Sequence, residues 1–327
     1  MDPVLVSVLL LVLAAEFVNG WTDAPNAIAT VVSTRVMSRG AAVAMAVVFN
    51  ILGVFSGTAV ATTIGKGIID SGVVNPPTIG AALLAIIIWS SLAARFGIPT
   101  SESHALVSGL AGAALAVAGP EALLWEGWKK VIIGLFLAGV VGFVFAFFLT
   151  RLIRRTFASS PPSSTGKSCR RWQIITAAFL AFNHGSNDGQ KFIGVFAMVL
   201  LLGGVITTFY VPIWVILVCA LVMGLGTSIG GWKIIQEMGM KMVDLRPWQG
   251  FCAQLAAGGT IFFASRFGIP LSTTHTIITS MLGVAASRNP KHVRWDIAGK
   301  VMSAWVLTFP ICGVIAYVTA YIIKHFF

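Results

Sequence analysis

The chain has 327 residues, of which 57% are hydrophobic and only 10% charged, with a mean hydropathy of +0.90. A soluble domain carries roughly 25% charged residues, so a water-exposed globule is excluded and an all-α integral membrane protein is expected, its apolar runs long enough to span about 30 Å of hydrocarbon. These runs are continuous, which excludes an outer-membrane barrel, and the net charge of +11 lies in short loops without a basic stripe or motif, which excludes a nucleic-acid partner.

The N-terminal MDPVLVSVLLLVLAAEF lacks a basic flank and a cleavage site and reads as a membrane helix. Residues 4–18 are apolar and end in NGWTDAPN, a cluster of Asn, Gly, Asp and Pro that predicts one crossing with a broken middle. Residues 41–64 form a second span, 66–77 a loop and 78–96 a third span. Pro99 stops that span, and a short Ser/Thr-started helix follows over 100–118, which either crosses or re-enters. Residues 130–152 are another span. The Ser/Pro-rich, basic stretch RRTFASSPPSSTGKSCRR, residues 154–171, reads as a flexible cytoplasmic linker. The order then repeats: a broken crossing over 172–202 interrupted at NHGSNDGQ, a span at 211–229, a basic loop at 231–247, a span at 249–267, a short helix from Pro270 to 286 and a last span over 297–324.

The repetition is written in the letters. RFGIPTSESHALVSGLAG, starting at Arg95, and RFGIPLSTTHTIITSMLG, starting at Arg266, share eight of eighteen positions. NGWTDAPNAI aligns with HGSNDGQKFI, placing Asp23 opposite Asp188 and Asn26 opposite Lys191. The offsets, 171 and 165, are about half the chain, so it is a tandem duplication. Its units are 1–153 and 172–327, joined by the linker 154–171. Five crossings per copy turn the second copy upside down. That arrangement puts fifteen Lys and Arg on one side and only Lys66, Lys129, Lys130, Arg266 and Lys324 on the other. The expectation is therefore about 10–12 transmembrane or re-entrant helices in two inverted-topology repeats with broken helices, the linker cytoplasmic.

Such repeats place a site at mid-membrane, where half-helix N-termini meet an anion. Thr100, Ser101 and Ser103, matched by Ser272, Thr273 and Thr274, set hydroxyls beside unpaired backbone N–H groups at two opposed helix starts, a cage for an oxyanion. Capping alone would explain one such start; two matched ones favour a ligand. Asp23 and Asp188 are intramembrane carboxylates, functional by default. They suit a coupling cation, or a protonated substrate oxygen such as that of hydrogen phosphate. Asn26, Asn187 and Gln190 add neutral donors and acceptors, and the ammonium of Lys191 pairs with Asp188 or the anion, or stands in for a metal ion. Glu102, His104 and His275 are candidate proton carriers, and Glu16 is a further buried acid. The four cysteines show no metal-ligand spacing, and no P-loop or nucleophile–base set appears, so neither an enzyme nor a resident cofactor or fixed metal is expected and an ion gradient must supply the drive.

At these residues the chain resembles the PiT family of inorganic phosphate transporters, which carries a duplicated G-x-N-D-x-x-N signature and a duplicated proline followed by Ser/Thr. NGWTDAPNAIATVVSTR, HGSNDGQKFIG, IPTSESHALVSG and IPLSTTHTIITS carry the match across essentially the whole chain. The resemblance implies a plasma-membrane symporter, homodimeric, moving inorganic phosphate with a coupling cation by alternating access. Thr22 and Lys191 stand where that pattern has Asn. HGSNDGQK is similar to the bacterial low-affinity, proton-coupled branch, whose members carry metal–phosphate complexes. Protons are accordingly favoured for coupling; with sodium instead, Asp23 and Asp188 would hold Na+. A sulfate permease on the same scaffold and an oxyanion channel are the alternatives.

Overall fold

The computed structural model describes residues 2–156 and 162–326, with no strand among the described residues. The first half holds α1 (Pro3–Ser33), α2 (Arg39–Val54), α3 (Ala59–Gly67), α4 (Pro76–Arg95), α5 (Glu102–Ala118), α6 (Trp125–Phe136) and α7 (Gly142–Thr156). The second holds α8 (Pro162–His184), α9 (Gln190–Leu202), α10 (Ile213–Ile229), α11 (Trp232–Ile235), α12 (Pro247–Arg266), α13 (Thr273–Arg288) and α14 (Trp295–Phe326). Helices α6 and α7 run on through a π-helical turn at Leu137–Val141, and α8 and α9 through one at Gly185–Gly189, which leaves twelve helical rods among the described residues. Among the described residues four stretches are long and apolar enough to cross a membrane, six when two bent pairs are each counted as one span.

The halves correspond element by element, α1 with α8–α9, α4 with α12, α5 with α13, and α6–α7 with α14. Their packing is exchanged: α5 lies on α14 while α13 lies on α7, and α1 lies on α10 while α2 lies on α8. A Cβ at Gly112 would fall 2.1 Å from the carbonyl oxygen of Gly313, and one at the matched Gly283 would fall 2.2 Å from that of Phe143. Reciprocal contacts of this kind are what a two-fold axis between repeats generates.

The breaks are not where residue propensity puts them. Helix α1 continues unbroken through NGWTDAPN with Pro25 inside it. Its polar side chains bond to other helices or to the preceding turn, with Thr22 2.9 Å from Glu102 and Asn26 2.9 Å from Thr274, so they do not compete for the local backbone. In the second repeat the expected break is a π-helical turn, Gly185–Gly189, which adds a residue to the turn without ending the rod. The real bends lie in stretches read as straight spans or loops. Helices α2 and α3 meet at 68° around Gly57, and α10 meets the helix starting at Trp232 at 60° around Gly230 and Gly231, all three glycines at positive φ. The basic stretch after Gly231, expected as a loop, is helical as α11 and a π-helical run, Gln236–Met242. The expected linker is helix up to Thr156 and again from Pro162; residues 157–161 lie outside the described residues.

The two RFGIP segments do start helices. After Pro99 and Pro270 the chain is extended, and Ser101 and Ser272 cap α5 and α13 by accepting from the backbone N–H of His104 and His275. Nearly every residue of these two helices is buried, so their N-termini point into the protein interior.

Candidate functional site

Four elements deliver polar side chains to one buried cluster: the middle of α1, the π-helical junction of α8 and α9, and the first turns of α5 and α13. The polar faces of the two long rods meet the two helix starts because Ser103 donates to the carbonyl oxygen of Leu271, 2.8 Å away, tying the start of α5 to the segment leading into α13.

Asp23 Oδ1 accepts from Thr274 Oγ1 at 3.1 Å, and Asp188 Oδ2 accepts from Thr273 Oγ1 at 2.5 Å. Asn26 Nδ2 donates to Thr274 at 2.9 Å and to Thr273 at 3.3 Å. In the matched position Lys191 Nζ donates to Ser103 and to Asp188, and to the Leu271 carbonyl oxygen at 2.8 Å. Asn187 braces the segment before α13, donating to Ser265 Oγ at 2.9 Å and to the Ile269 carbonyl oxygen at 3.2 Å. Glu102 accepts from Ser90 at 2.7 Å and lies 2.9 Å from Thr22. Asp23, Asn26, Asn187, Asp188, Lys191, Glu102, Ser103, Thr273 and Thr274 are therefore brought together, all buried.

The remaining expected residues stand apart. The hydroxyls of Ser101 and Ser272 are committed to capping. Thr100 is buried, and its hydroxyl bonds to none of the cluster residues. Gln190 Oε1 accepts from the backbone N–H of Val60 at 3.1 Å and so caps α3. His104 and His275 meet each other, ring centroids 4.4 Å apart, and face α14, where His275 stacks on Trp305 at 3.7 Å and His104 lies 4.6 Å from Phe309.

One central residue was not singled out by spacing. His184, in the last turn of α8, places Nε2 3.1 Å from Asp188 and 4.0 Å from Asp23, while Nδ1 is 3.1 Å from Asn50 Oδ1. It heads the motif HGSNDGQK opposite Asn19, and that polar match was the available signal. Ligand atoms of Asp23, His184 and Asp188 all lie within 4.8 Å of one another, close enough for one metal ion. Three buried oxygens around this centre, Glu16 Oε1, Asn19 Oδ1 and Asn26 Oδ1, have no hydrogen-bond partner among the described residues. Buried polar atoms are ordinarily satisfied, and these three are acceptors, so they fit a ligand that brings a donor, such as a protonated oxygen, or a cation.

Below the cluster, toward Arg35, a second set of buried polar groups continues along α1. Thr30 Oγ1 accepts from Gln254 at 2.5 Å, its carbonyl oxygen accepts from Gln173 at 3.2 Å, and Thr176 donates to Gln254 at 3.0 Å.

The phosphate transporter family matches this chain twice, over residues 19–168 and residues 158–316, one match per repeat. A probable low-affinity inorganic phosphate transporter of Rhizobium meliloti (strain 1021) is 42% identical over 316 residues, covering 96% of this chain and 95% of that protein. A protein of the same description from Bacillus subtilis (strain 168) is 40% identical and covers all of both chains. The solved structure of the sodium-dependent phosphate transporter superposes with a TM-score of 0.90 at 22% identity, covering 99% of this chain and 100% of that one, and so has the same fold. The chain belongs to the PiT family of phosphate transporters.

Proposed function

We propose that the chain is a secondary active symporter that carries inorganic phosphate across the plasma membrane, coupled to a cation gradient in which protons take the coupling role. The observation that carries this reading is the buried cluster in which hydroxyls from two matched helix starts, Ser103 and Thr273 with Thr274, meet two carboxylates and one ammonium. Hydroxyls and Lys191 donate to phosphate oxygens. Asp23 and Asp188 accept from a protonated oxygen, which hydrogen phosphate has and ionised sulfate lacks. Lys191 lies on Asp188, where a coupling sodium ion would otherwise need the same carboxylate oxygens, and this supports protons over sodium.

The two repeats supply the moving parts. Both hold a rod, a bent pair and a buried half-helix in the same order, so exchanging which repeat is tightly packed exposes the cluster to one face and then the other. With residues 154–171 on the cytoplasmic side, the polar groups around Thr30 line the inner half of the route.

The Asp23, His184 and Asp188 trio favours one further form of the cargo, a divalent metal–phosphate complex, because an imidazole and two carboxylates together suit a metal ion better than a bare anion. The test is phosphate uptake into proteoliposomes with proton and sodium gradients imposed separately, with and without Mg2+. Uptake driven by the proton gradient alone is expected; uptake that requires sodium overturns the coupling reading, and uptake indifferent to any gradient overturns the symporter. Strong competition by sulfate would reassign the substrate.

A further inference from the structure

We propose that the small cavity between the α2–α3 bend and the end of α12 is the vestibule through which phosphate reaches the cluster from the outer face, with Arg266 drawing the anion in. This rests on the transport reading above. The cavity measures about 170 Å³, and its wall includes Ser56, Ser186, Gln190, Ser265 and Arg266. Two of these lead inward. Ser186 precedes Asn187 and Asp188 in the π-helical turn, and Ser265 accepts the hydrogen bond from Asn187 at 2.9 Å. Ser56 donates to Ser186 at 2.6 Å across the cavity, so the α2–α3 bend and the site-bearing rod close on each other through a bond that a phosphate oxygen can replace.

Arg266 is exposed at the mouth, its guanidinium held 5.2 Å over the Phe262 ring, and has no ion-pair partner among the described residues. A second cation stands close by. Lys130 donates to Thr63 at 3.2 Å, and Thr63 donates to the carbonyl oxygen of Gly268, two residues beyond Arg266, at 2.7 Å. Both belong to the few basic residues that the charge pattern leaves on the outer face. A cleft with unpaired cations and low-dielectric walls raises the local concentration of an anion.

The two-fold counterpart of this cavity shows what the arrangement lacks when it is not used for the same purpose. It is larger, about 790 Å³, but its walls include Trp21, Ile88, Leu92, Ile229 and Trp232. Trp21 and Ser186 each precede their aspartate by two residues, so an indole stands on one side of the cluster where a hydroxyl stands on the other. Arg95 matches Arg266, but Lys233 lies against it, donating to its carbonyl oxygen at 2.9 Å. Symmetry of backbone with asymmetry of lining marks the two sides for different steps.

The test combines kinetics and accessibility in the full chain, on a Cys169→Ser background. Arg266→Gln is expected to raise the KM for phosphate about threefold to tenfold at low salt, with kcat unchanged and the difference shrinking as salt screens the charge; Arg266→Lys is expected to restore it. Ser56→Cys is expected to react from the outer face with an anionic, membrane-impermeant thiol reagent, more slowly when phosphate is present and severalfold more slowly when combined with Arg266→Gln. A KM for Arg266→Gln equal to that of the parent, or a Ser56→Cys that labels only from the inner face or not at all, overturns the vestibule. Failure of the parent protein to take up phosphate would instead sink the transport reading, and the labelling pattern separates the two failures.

Discussion

Lys191 and Ser103 meet across the repeats, ammonium on hydroxyl, at the position where the two-fold-related pair is Asn26 on Thr274 at 2.9 Å. A neutral pair and a charged pair thus occupy equivalent places around one centre. The added charge lies against Asp188, whereas among the described residues Asp23 is partnered by Thr274 and the more distant His184. The two carboxylates are matched in sequence and unlike in surroundings.

Lys191→Met is therefore expected to abolish proton-driven uptake and to destabilise the protein by about 3–5 kcal/mol, because it removes the ammonium paired with the buried Asp188 carboxylate. Lys191→Asn copies the first repeat and is expected to fold well while making uptake depend on an added cation. Thermal unfolding in detergent, with uptake under separate proton and sodium gradients, checks both. Proton-driven uptake by Lys191→Met at the parent rate would show that the ammonium has no part in coupling.

Asp188→Asn is expected to insert into the membrane, since a carboxamide costs less there than a carboxylate, and to lose uptake by a hundredfold or more, on the order of 2.7 kcal/mol. It removes the acceptor for Thr273 and the partner of Lys191 together. Parent-level transport by the purified, inserted variant would remove Asp188 from the site.

The hydroxyls of the helix starts separate by role. Thr274→Val removes a group bonded to both Asp23 and Asn26 and is expected to lower uptake about tenfold, the loss of one buried hydrogen bond to a charged partner. Ser272→Ala removes only the cap of α13 and is expected to cost about 1 kcal/mol of stability with the KM unchanged. Measuring uptake and melting temperature on both variants distinguishes a ligand from a cap.

Gly112→Ala and Gly283→Ala are expected to destabilise the fold to similar extents, each methyl driving into a backbone carbonyl at 2.1 or 2.2 Å. Gly139→Ala, where no atom lies within 4 Å of the added carbon, is the matched control and is expected to be tolerated. A melting temperature unchanged by both of the first two would contradict the close crossing of α5 on α14 and of α13 on α7.

Much of the fold was legible because a duplicated chain displays its own alignment. RFGIP twice announced two buried helix starts, and both are present with serine caps in register. The breaks differ from what residue propensity predicts for a physical reason. Asn19, Asp23, Pro25 and Asn26 have poor helix propensity only while their side chains are free to bond the local backbone or while the backbone is exposed. In the fold Asn19, Asp23 and Asn26 have side-chain partners, most of them on other helices, and the rod survives. The bend at Gly57 went unseen because one glycine in an apolar run looks like packing until its φ is known.

Composition, duplication and the paired motifs by themselves determined the membrane class, the two repeats, the helix starts and most residues of the cluster. These follow from periodicity and from polar residues placed where lipid forbids them. Only the tertiary structure decided which of those residues share one centre. Helix crossings bring Thr274 to Asp23 over 251 positions and send His104 with His275 to the α14 face, and no local pattern encodes that choice. The same crossings gave His184 its place between two carboxylates and set Ser186 opposite Trp21, because contacts between repeats depend on how whole rods pack and not on the residues beside them in the chain.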